Sequence, residues 1–390
     1  MSELDIFTEG TQQQILDELK VQNSLVKILA SGWNIDSFAA VREIVKGGGG
    51  KRYLPVGTQL AVPHTAYGGG TLLFDVADHD GYKNPNDPTT HTMTLLMHDV
   101  IYGRQFDATE ALYYVHADVW PNGLPAGTYY FNLLSGYDTT YGGGSSISFT
   151  TTKVVPVGGV IMFPWSYNTQ ASTIKVSTYD SCASTTALET LAVTVGTSGT
   201  SLGTADGNTA HMNHTHRIRY GSNHWGESAM RQWLNSDAAA NAWWQPQTEF
   251  DRPVSYANVA GFMNGLDPDF LDIVGDVDLV TAYNTVYNAG GEKSGSYTTR
   301  DKFFLPSMIE IGLGKNDSVA EGALFSLYDG AGNTDRIKYD VSSSSTARYW
   351  WVRSPTPWYA NYVRYVSTDG SLGSYIAYSG LGAVAACVIY

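Results

Sequence analysis

The sequence predicts an α+β chain carrying an all-β insertion, and three textures along its 390 residues predict it. A helical seam opens the chain, short β-type runs separated by Gly, Pro and Asp fill its middle, and helices mixed with strands close it. These changes divide it into an N-terminal helical segment over 1–46, a glycine linker at 47–50 and the first strands of a main domain over 51–117. An inserted β-domain over 118–206 follows, and then the body of the main domain over 207–390. With 43% hydrophobic and only 15% charged residues, the chain is built to fold around a core and is long enough for about two or three domains.

The opening stretch "TQQQILDELKVQNSLVKILA" spaces Ile15, Leu19, Gln22, Val26 and Leu29 alternately by fours and threes, the seam of a short coiled coil with a polar Gln22 inside it. A lone helix of that length is marginal in water, so the seam predicts a homo-oligomer, a dimer or trimer. A second helix is predicted from Asp36 or Ser37 through "FAAVREIVK", ending at Gly47 to Gly50, a run read as a flexible linker.

Strands follow in "YLPVGTQLAVPH", "GTLLFDVADHD" and "THTMTLLMHDVIYG", and the inserted region continues with "PAGTYYFNLL", "SISFTTTKVVPVGGVIMFPW", "STIKVSTY" and "ETLAVTVG". Beyond His211 the pattern shifts to helical spacing. In "YGSNHWGESAMRQWLNSD", Ala229 pairs with Trp233 and Met230 with Leu234, with Ser222 or Asn223 as a candidate cap. A further helix is predicted in "DPDFLDIVGDV", and strands in "DKFFLPS", "RYWWVRSP", "YVRYVST" and "AVAACVIY".

Charge and cysteine content narrow the function classes. The net charge of −14, with no basic run to offset it, disfavours nucleic acid as a partner. The N-terminal residues lack a secretory leader pattern, and no stretch approaches the ~18 apolar residues of a membrane span, so synthesis in the cytoplasm without membrane insertion is expected. The two cysteines, Cys182 and Cys387, are too isolated for a disulfide framework or a Cys-rich metal site. His211, His214 and His216 lie close enough to invite a transition metal, but no Cys accompanies them, and the acidic "DPDFLDIVGDVD" lacks the ligand spacing of a calcium loop. No nucleophile triad or phosphate-cradling glycine loop is present, so neither catalysis nor a cofactor nor a functional metal is expected.

The aromatic content is the unusual number: 13%, with 26 Tyr and 10 Trp beside 41 Gly. Tyr concentrates in "SPTPWYANYVRYVSTDGSLGSYIAYSGLGAVAACVIY", interleaved with Ser, Gly and Asn. Tyr gives large contact area at little entropic loss, and small polar residues adapt around it, the mixture that antibody loops use. Trp350, Trp351 and Arg353 in "RYWWVRSP" read as rigid support beneath such a surface, with Arg348 or Arg353 stacked on a ring or holding backbone carbonyls.

Together "YGSNHWGESAMRQWLNSD", "DKFFLPSMIEIG", "RYWWVRSP", "VSTDGSL" and "GAVAACVI" resemble the C-type-lectin-fold domains of the variable proteins of diversity-generating retroelements, especially those of gut bacteriophages and prophages. The resemblance covers 220–390 and is most specific from "WWVRSP" to "ACVI". It implies that the main domain is C-type-lectin-like, that its first strand pairs near its last, and that a variable region spans about 356–382. In such proteins a reverse transcriptase rewrites template adenines, above all in Asn codons, and keeps a framework. The resemblance implies framework at Ala360, Val363, Val366, Asp369, Gly370, Leu372, Ala377 and Gly382. It implies varied, ligand-contacting positions at Tyr359, Asn361, Tyr362, Tyr365, Ser367, Gly373, Ser374, Tyr375, Ile376, Tyr378, Ser379 and Leu381. Each of these is reachable from an AAC codon by changing adenines alone. Trp358, also placed among the contacts, is the departure, since its TGG codon cannot arise that way.

The expected function is therefore a non-enzymatic receptor binder at a phage tail tip, contacting a host or bacterial surface protein or glycan. A structural virion or cell-surface component with fixed subunit contacts is the alternative, and a calcium-dependent lectin a weaker third.

Overall fold

The computed structural model describes residues 37–108, 113–133, 146–162, 173–178, 187–205, 221–247, 251–283, 295–314, 319–357, 359 and 361–390, together with 13, 15, 16, 18, 19 and 22. Of these, 39% lie in strands and 17% in helix, so the protein is all-β and not the α+β chain with a helical N-terminus that the sequence led us to expect. Of the periodic segments read as helices, those at 38–46, 229–234 and 268–273 do form them, but each is only about two or three turns long.

The continuously described α-helices are α1 (Phe38–Lys46), α2 (Gly50–Tyr53), α3 (Ala229–Leu234) and α4 (Pro268–Ile273). Before the insertion the strands are β1 (Gln59–Pro63), β2 (Thr71–His79), β3 (Met93–Met97) and β4 (Ile101–Arg104). Within it are β5 (Tyr113–Tyr114), β6 (Gly127–Leu133), β7 (Ser146–Thr151), β8 (Gly159–Met162), β9 (Thr173–Thr178), β10 (Ala187–Ala192), β11 (Thr194–Val195) and β12 (Thr200–Ala205). After it come β13 (Val274–Gly275), β14 (Val277–Ala282), β15 (Ser296–Asp301), β16 (Phe303–Phe304), β17 (Lys338–Asp340) and β18 (Ser343–Arg348). The last are β19 (Trp350–Pro355), β20 (Tyr362–Val366), β21 (Leu372–Ile376), β22 (Leu381–Ala383) and β23 (Ala386–Ile389).

The expected coiled coil is corrected first. Ile15, Leu19 and Gln22 are helical and Ile15 and Leu19 are exposed, while Val26 and Leu29 lie outside the described residues. Among the described residues no long helix is available to supercoil. The longest uninterrupted one among the described residues, α1, has 9 residues, fewer than three turns. Its apolar face is spent within the protomer: Phe38, Val41, Ile44 and Val45 are buried, Phe38 meets Phe270 of α4 at 5.2 Å, and Arg42 bonds Asp272 at 2.9 Å.

The four glycines after α1, expected to be a flexible linker, form a packed turn that continues into α2. Gly48 adopts φ +79°, and a Cβ there would stand 3.0 Å from Nε2 of His91; one on Gly50 would stand 2.9 Å from Nδ1 of His79. Glycine is required here by close approach of two imidazoles, not by mobility.

The main sheet runs β1-β2-β3-β23-β13, with β16 also bonded to β23. The C-terminal strand therefore inserts beside β3, with Cys387 opposite Leu95, so it is Met93–Met97 and not the first strand that pairs with the end of the chain. Every residue of β3 and β23 is buried, which explains why "MTLLM" and "ACVI" read as continuous apolar runs and not as alternating ones. Cys387 is fully buried and its thiol is pushed up by desolvation, away from thiolate chemistry; Cys182 lies outside the described residues.

The inserted region carries two four-stranded sheets, β10-β9-β8-β5 and β11-β7-β6-β12, which share an apolar cluster of their own around Phe131, Ile147, Phe149, Ile174 and Val176. That cluster begins at Tyr113, slightly before the boundary expected at 118. The larger cluster joins residues from 38 to 108 with those from 225 onward, so the chain leaves one core, builds a second and returns. Two expected helices are capped by residues other than those first considered for the former. Ser228, not Ser222 or Asn223, caps α3 by accepting from Arg231 N, and Asp267 caps α4 by accepting from Asp269 N and Phe270 N.

Candidate functional site

Beside the Tyr-rich hairpin, paired with its first strand in the same sheet, lies β19, all six residues of which are buried. Trp350 and Trp351 are both wholly inaccessible, with their indole N–H groups donating to Arg336 O at 3.2 Å and Arg104 O at 2.9 Å. Arg353 is equally inaccessible and forms a two-pronged pair with Glu310, Nη1 to Oε2 at 2.6 Å and Nη2 to Oε1 at 2.8 Å. It also donates to Leu305 O and Glu321 O, and the hydroxyl of Tyr82 donates to Glu310 from the far side. A buried guanidinium whose two terminal nitrogens are so engaged fixes geometry and is not available to a ligand, although its Nε has no acceptor. Arg348 instead stacks at 4.1 Å over Tyr102 while bonding Asp340 at 2.9 Å.

On this support β20 and β21 form an antiparallel hairpin in the three-stranded order β19-β20-β21. The register sets Tyr362 opposite Ile376, Val363 opposite Tyr375, Arg364 opposite Ser374, Tyr365 opposite Gly373 and Val366 opposite Leu372. Its turn is closed by Asp369, whose Oδ1 accepts from the amide and the hydroxyl of Ser371 at 3.0 and 2.6 Å. Gly370 adopts φ +80° and its Cα side presses on Asn333 O, leaving no room for a side chain. Asp369 and Gly370 thus have structural reasons to be constant.

The segment leading into the hairpin is strapped by Asn223, itself wholly buried. Its amide nitrogen donates to Tyr359 O at 2.6 Å and Tyr362 O at 2.8 Å. The sequence offers Asn223 only as a cap candidate. Nothing local betrays the role, because its partners lie more than 130 positions downstream in the chain. The exit of the hairpin is tied by Ala377, whose N–H donates to Asn361 O and whose carbonyl accepts from Phe106 and Asp107 N.

The proposed contact residues separate by burial. Tyr359 is 52% exposed and its ring meets that of half-buried Tyr362 at 4.9 Å. Asn361, Ser367, Ser374, Tyr378 and Ser379 are half-buried around them. Tyr365, Tyr375 and Leu381 are also half-buried, but they pack on the main core. Tyr365 sits edge-on to Tyr349 at 5.6 Å and to Trp351 at 6.3 Å, and burial raises its hydroxyl pKa. Gly373 lies under its ring. Ile376 is only 2% exposed and belongs to the core, so it leaves the contact set; Trp358 and Ala360 lie outside the described residues. Two residues that the sequence did not single out join the rim: Tyr349 and Tyr102 are 38% and 37% exposed, and Tyr102 pairs across β4 with Gly382.

Among the described residues no group of three or more His, Cys, Asp or Glu side chains could hold a metal, and His211, His214 and His216 lie outside them. No described helix is long and apolar enough to cross a membrane.

Residues 200–389 match the model of a family described as a domain of unknown function, DUF6273. That span contains the hairpin and β23 but not β1 to β3, which complete the same sheet from upstream. No curated protein and no solved structure matches the chain.

Proposed function

We propose that this protein is a non-enzymatic binder whose hairpin face, from Tyr359 to Leu381, touches a ligand on a bacterial or host surface, and that a retroelement diversifies this face. A phage tail tip is the setting that fits the resemblance of its C-terminal segment. The observation that carries the reading is the contrast between frame and face. Trp350, Trp351 and Arg353 are inaccessible and held by hydrogen bonds, while exposed Tyr359 packs its ring on that of half-buried Tyr362, on a segment held by one buried asparagine. Such a face is ordered before any ligand arrives, which spares the ~0.5–1.5 kcal/mol that each loosely held side chain loses on binding. Tolerance to change follows as well, because the contacts fixing the backbone run through Asn223, Asp369, Gly370 and Ala377, none of them a proposed contact position.

Two measurements test this. Sequences of sibling isolates should differ at the contact positions named above and agree at Asn223, Trp350, Trp351 and Arg353; differences scattered evenly over the chain would refute diversification. Replacing Tyr359 and Tyr362 together by Ala should remove capture of the protein by the target surface while the melting temperature moves by no more than a few degrees. Retained capture would remove the face from the binding role.

A further inference from the structure

Arg364 stands at the centre of β20, between Tyr362 and Val366 along the strand and opposite Ser374 across it. Every other strand arginine around the site is engaged: Arg348 with Asp340 and the Tyr102 ring, Arg353 with Glu310, and Arg104 with the Tyr67 hydroxyl at 3.0 Å and the faces of Trp233 and Tyr256. Among the described residues the Arg364 side chain makes no hydrogen bond, ion pair or ring stack, and its Nε, like those of Arg42, Arg104 and Arg353, is sealed from water without an acceptor; what sets Arg364 apart is that its other guanidinium nitrogens have no protein partner either. Burial lowers its pKa from the ordinary arginine value, and no carboxylate offsets that.

A guanidinium carries five donors and stays charged in proteins, so desolvating one N–H without an acceptor is costly, about 1–3 kcal/mol or more for a charged group. Natural structures tolerate such a group where it awaits a partner. The fork geometry of guanidinium selects planar or tetrahedral oxyanions, which accept two parallel hydrogen bonds. In a chain of net charge −14 an unpaired cation in this position is also a local exception that would draw an anionic group to the face and away from the rest of the surface.

We infer that Arg364 is the anion-recognition point of the hairpin face, receiving a carboxylate or phosphate group of the ligand between Tyr362 and Ser374. The inference rests on the binding role proposed for this face. Because Arg364 is not among the positions expected to vary, it supplies a fixed preference for acidic ligands under a changing set of neighbours.

The test is side-chain NMR of the full chain labelled with 15N-arginine, titrated with sodium acetate in one arm and sodium phosphate in the other, at ionic strength held constant with sodium chloride. Arg364→Lys, which keeps the charge and the fold, identifies the Nε–H resonance by its loss. The expected result is a saturable shift of that resonance in at least one arm, with half-saturation about tenfold below any response of exposed Arg52. Saturation with acetate alone points to a carboxylate ligand, and with phosphate alone to a phosphate ester. A response in neither arm, or one that merely parallels Arg52, overturns the inference. If that happens while the Tyr359 and Tyr362 substitutions still abolish surface capture, the binding face stands and only its anion preference falls.

Discussion

The ring of Tyr365 lies across the backbone of Gly373 on the neighbouring strand, so close that a Cβ on residue 373 would overlap Cζ of the ring and stand 2.6 Å from its hydroxyl oxygen. An aromatic ring covering a cross-strand glycine shields the bare backbone and gains packing that the glycine cannot supply. Both positions belong to the set expected to vary, so they cannot vary independently.

Gly373→Ala should therefore push Tyr365 off Tyr349 and Trp351, at a cost of about 1–3 kcal/mol typical of overpacking. In the background of Tyr365→Ser the same change should cost much less, giving a coupling energy on the order of 1 kcal/mol in a double-mutant cycle followed by denaturant melts. Natural variants should show the same relation, an aromatic residue at 365 accompanied by glycine at 373. Additive effects within error would mean that the ring moves aside freely and that the two sites are uncoupled.

Asn223 links two things that the sequence keeps far apart, the start of the C-terminal domain and the segment that carries the Tyr359 and Tyr362 rings. Asn223→Ala leaves the carbonyls of Tyr359 and Tyr362 without their donor, and with the amide already buried the loss should be on the order of 2–3 kcal/mol. The loss should be local as well as global. Amide exchange over residues 356–362 should accelerate more than in β3 or β23, and surface capture should weaken even at temperatures where the variant remains folded. Uniform acceleration across the chain would reduce Asn223 to an ordinary core contact.

The sequence showed the strands and the supporting tryptophans well, because period and composition are local properties. The cores of "RYWWVRSP" and "AVAACVIY" are continuous enough to be interior wherever they are placed, and the structure buries Trp350 to Pro355 and Ala383 to Ile389. It misled about the N-terminal segment, where five seam positions suggested supercoiling, although among the described residues no helix exceeds the 9 residues of α1, too short to supercoil. It misled again at Gly47 to Gly50, since glycine marks both mobility and close approach, and only the positions of His79 and His91 decide between them. Within the site, Tyr359 and Ile376 illustrate the limit of composition. Both were read as contacts, yet 52% exposure and 2% exposure follow from pairing register and from which face of the hairpin meets the core. Asn223, Glu310 and Arg364 act through partners distant in sequence or through the absence of any, and no window of neighbouring residues reports that.

Acid should unfold this domain earlier than its carboxylates alone would dictate, and His224 is the reason. It sits one residue beyond the Asn223 strap, its ring stacked at 4.1 Å on Tyr297 and 5.9 Å from Tyr283, with Nδ1 unbonded and Glu227 Oε2 3.9 Å away. Burial, aided by the charge of Arg231, pulls its pKa down to about 4 from the ordinary 6.5. The neutral ring is thus the folded form, while the unfolded chain takes up a proton below about pH 6.5. Stability from this residue is complete above that pH and is lost as the pH falls toward 4, by an amount on the order of 3 kcal/mol. His224→Phe keeps the stack and removes the proton site, so the difference in melting temperature between the two proteins should grow in favour of the variant between pH 6.5 and 4, and be smallest at pH 7.5. A constant difference across that range would show that His224 is protonated within the fold, and that the Tyr297 stack accommodates the cation.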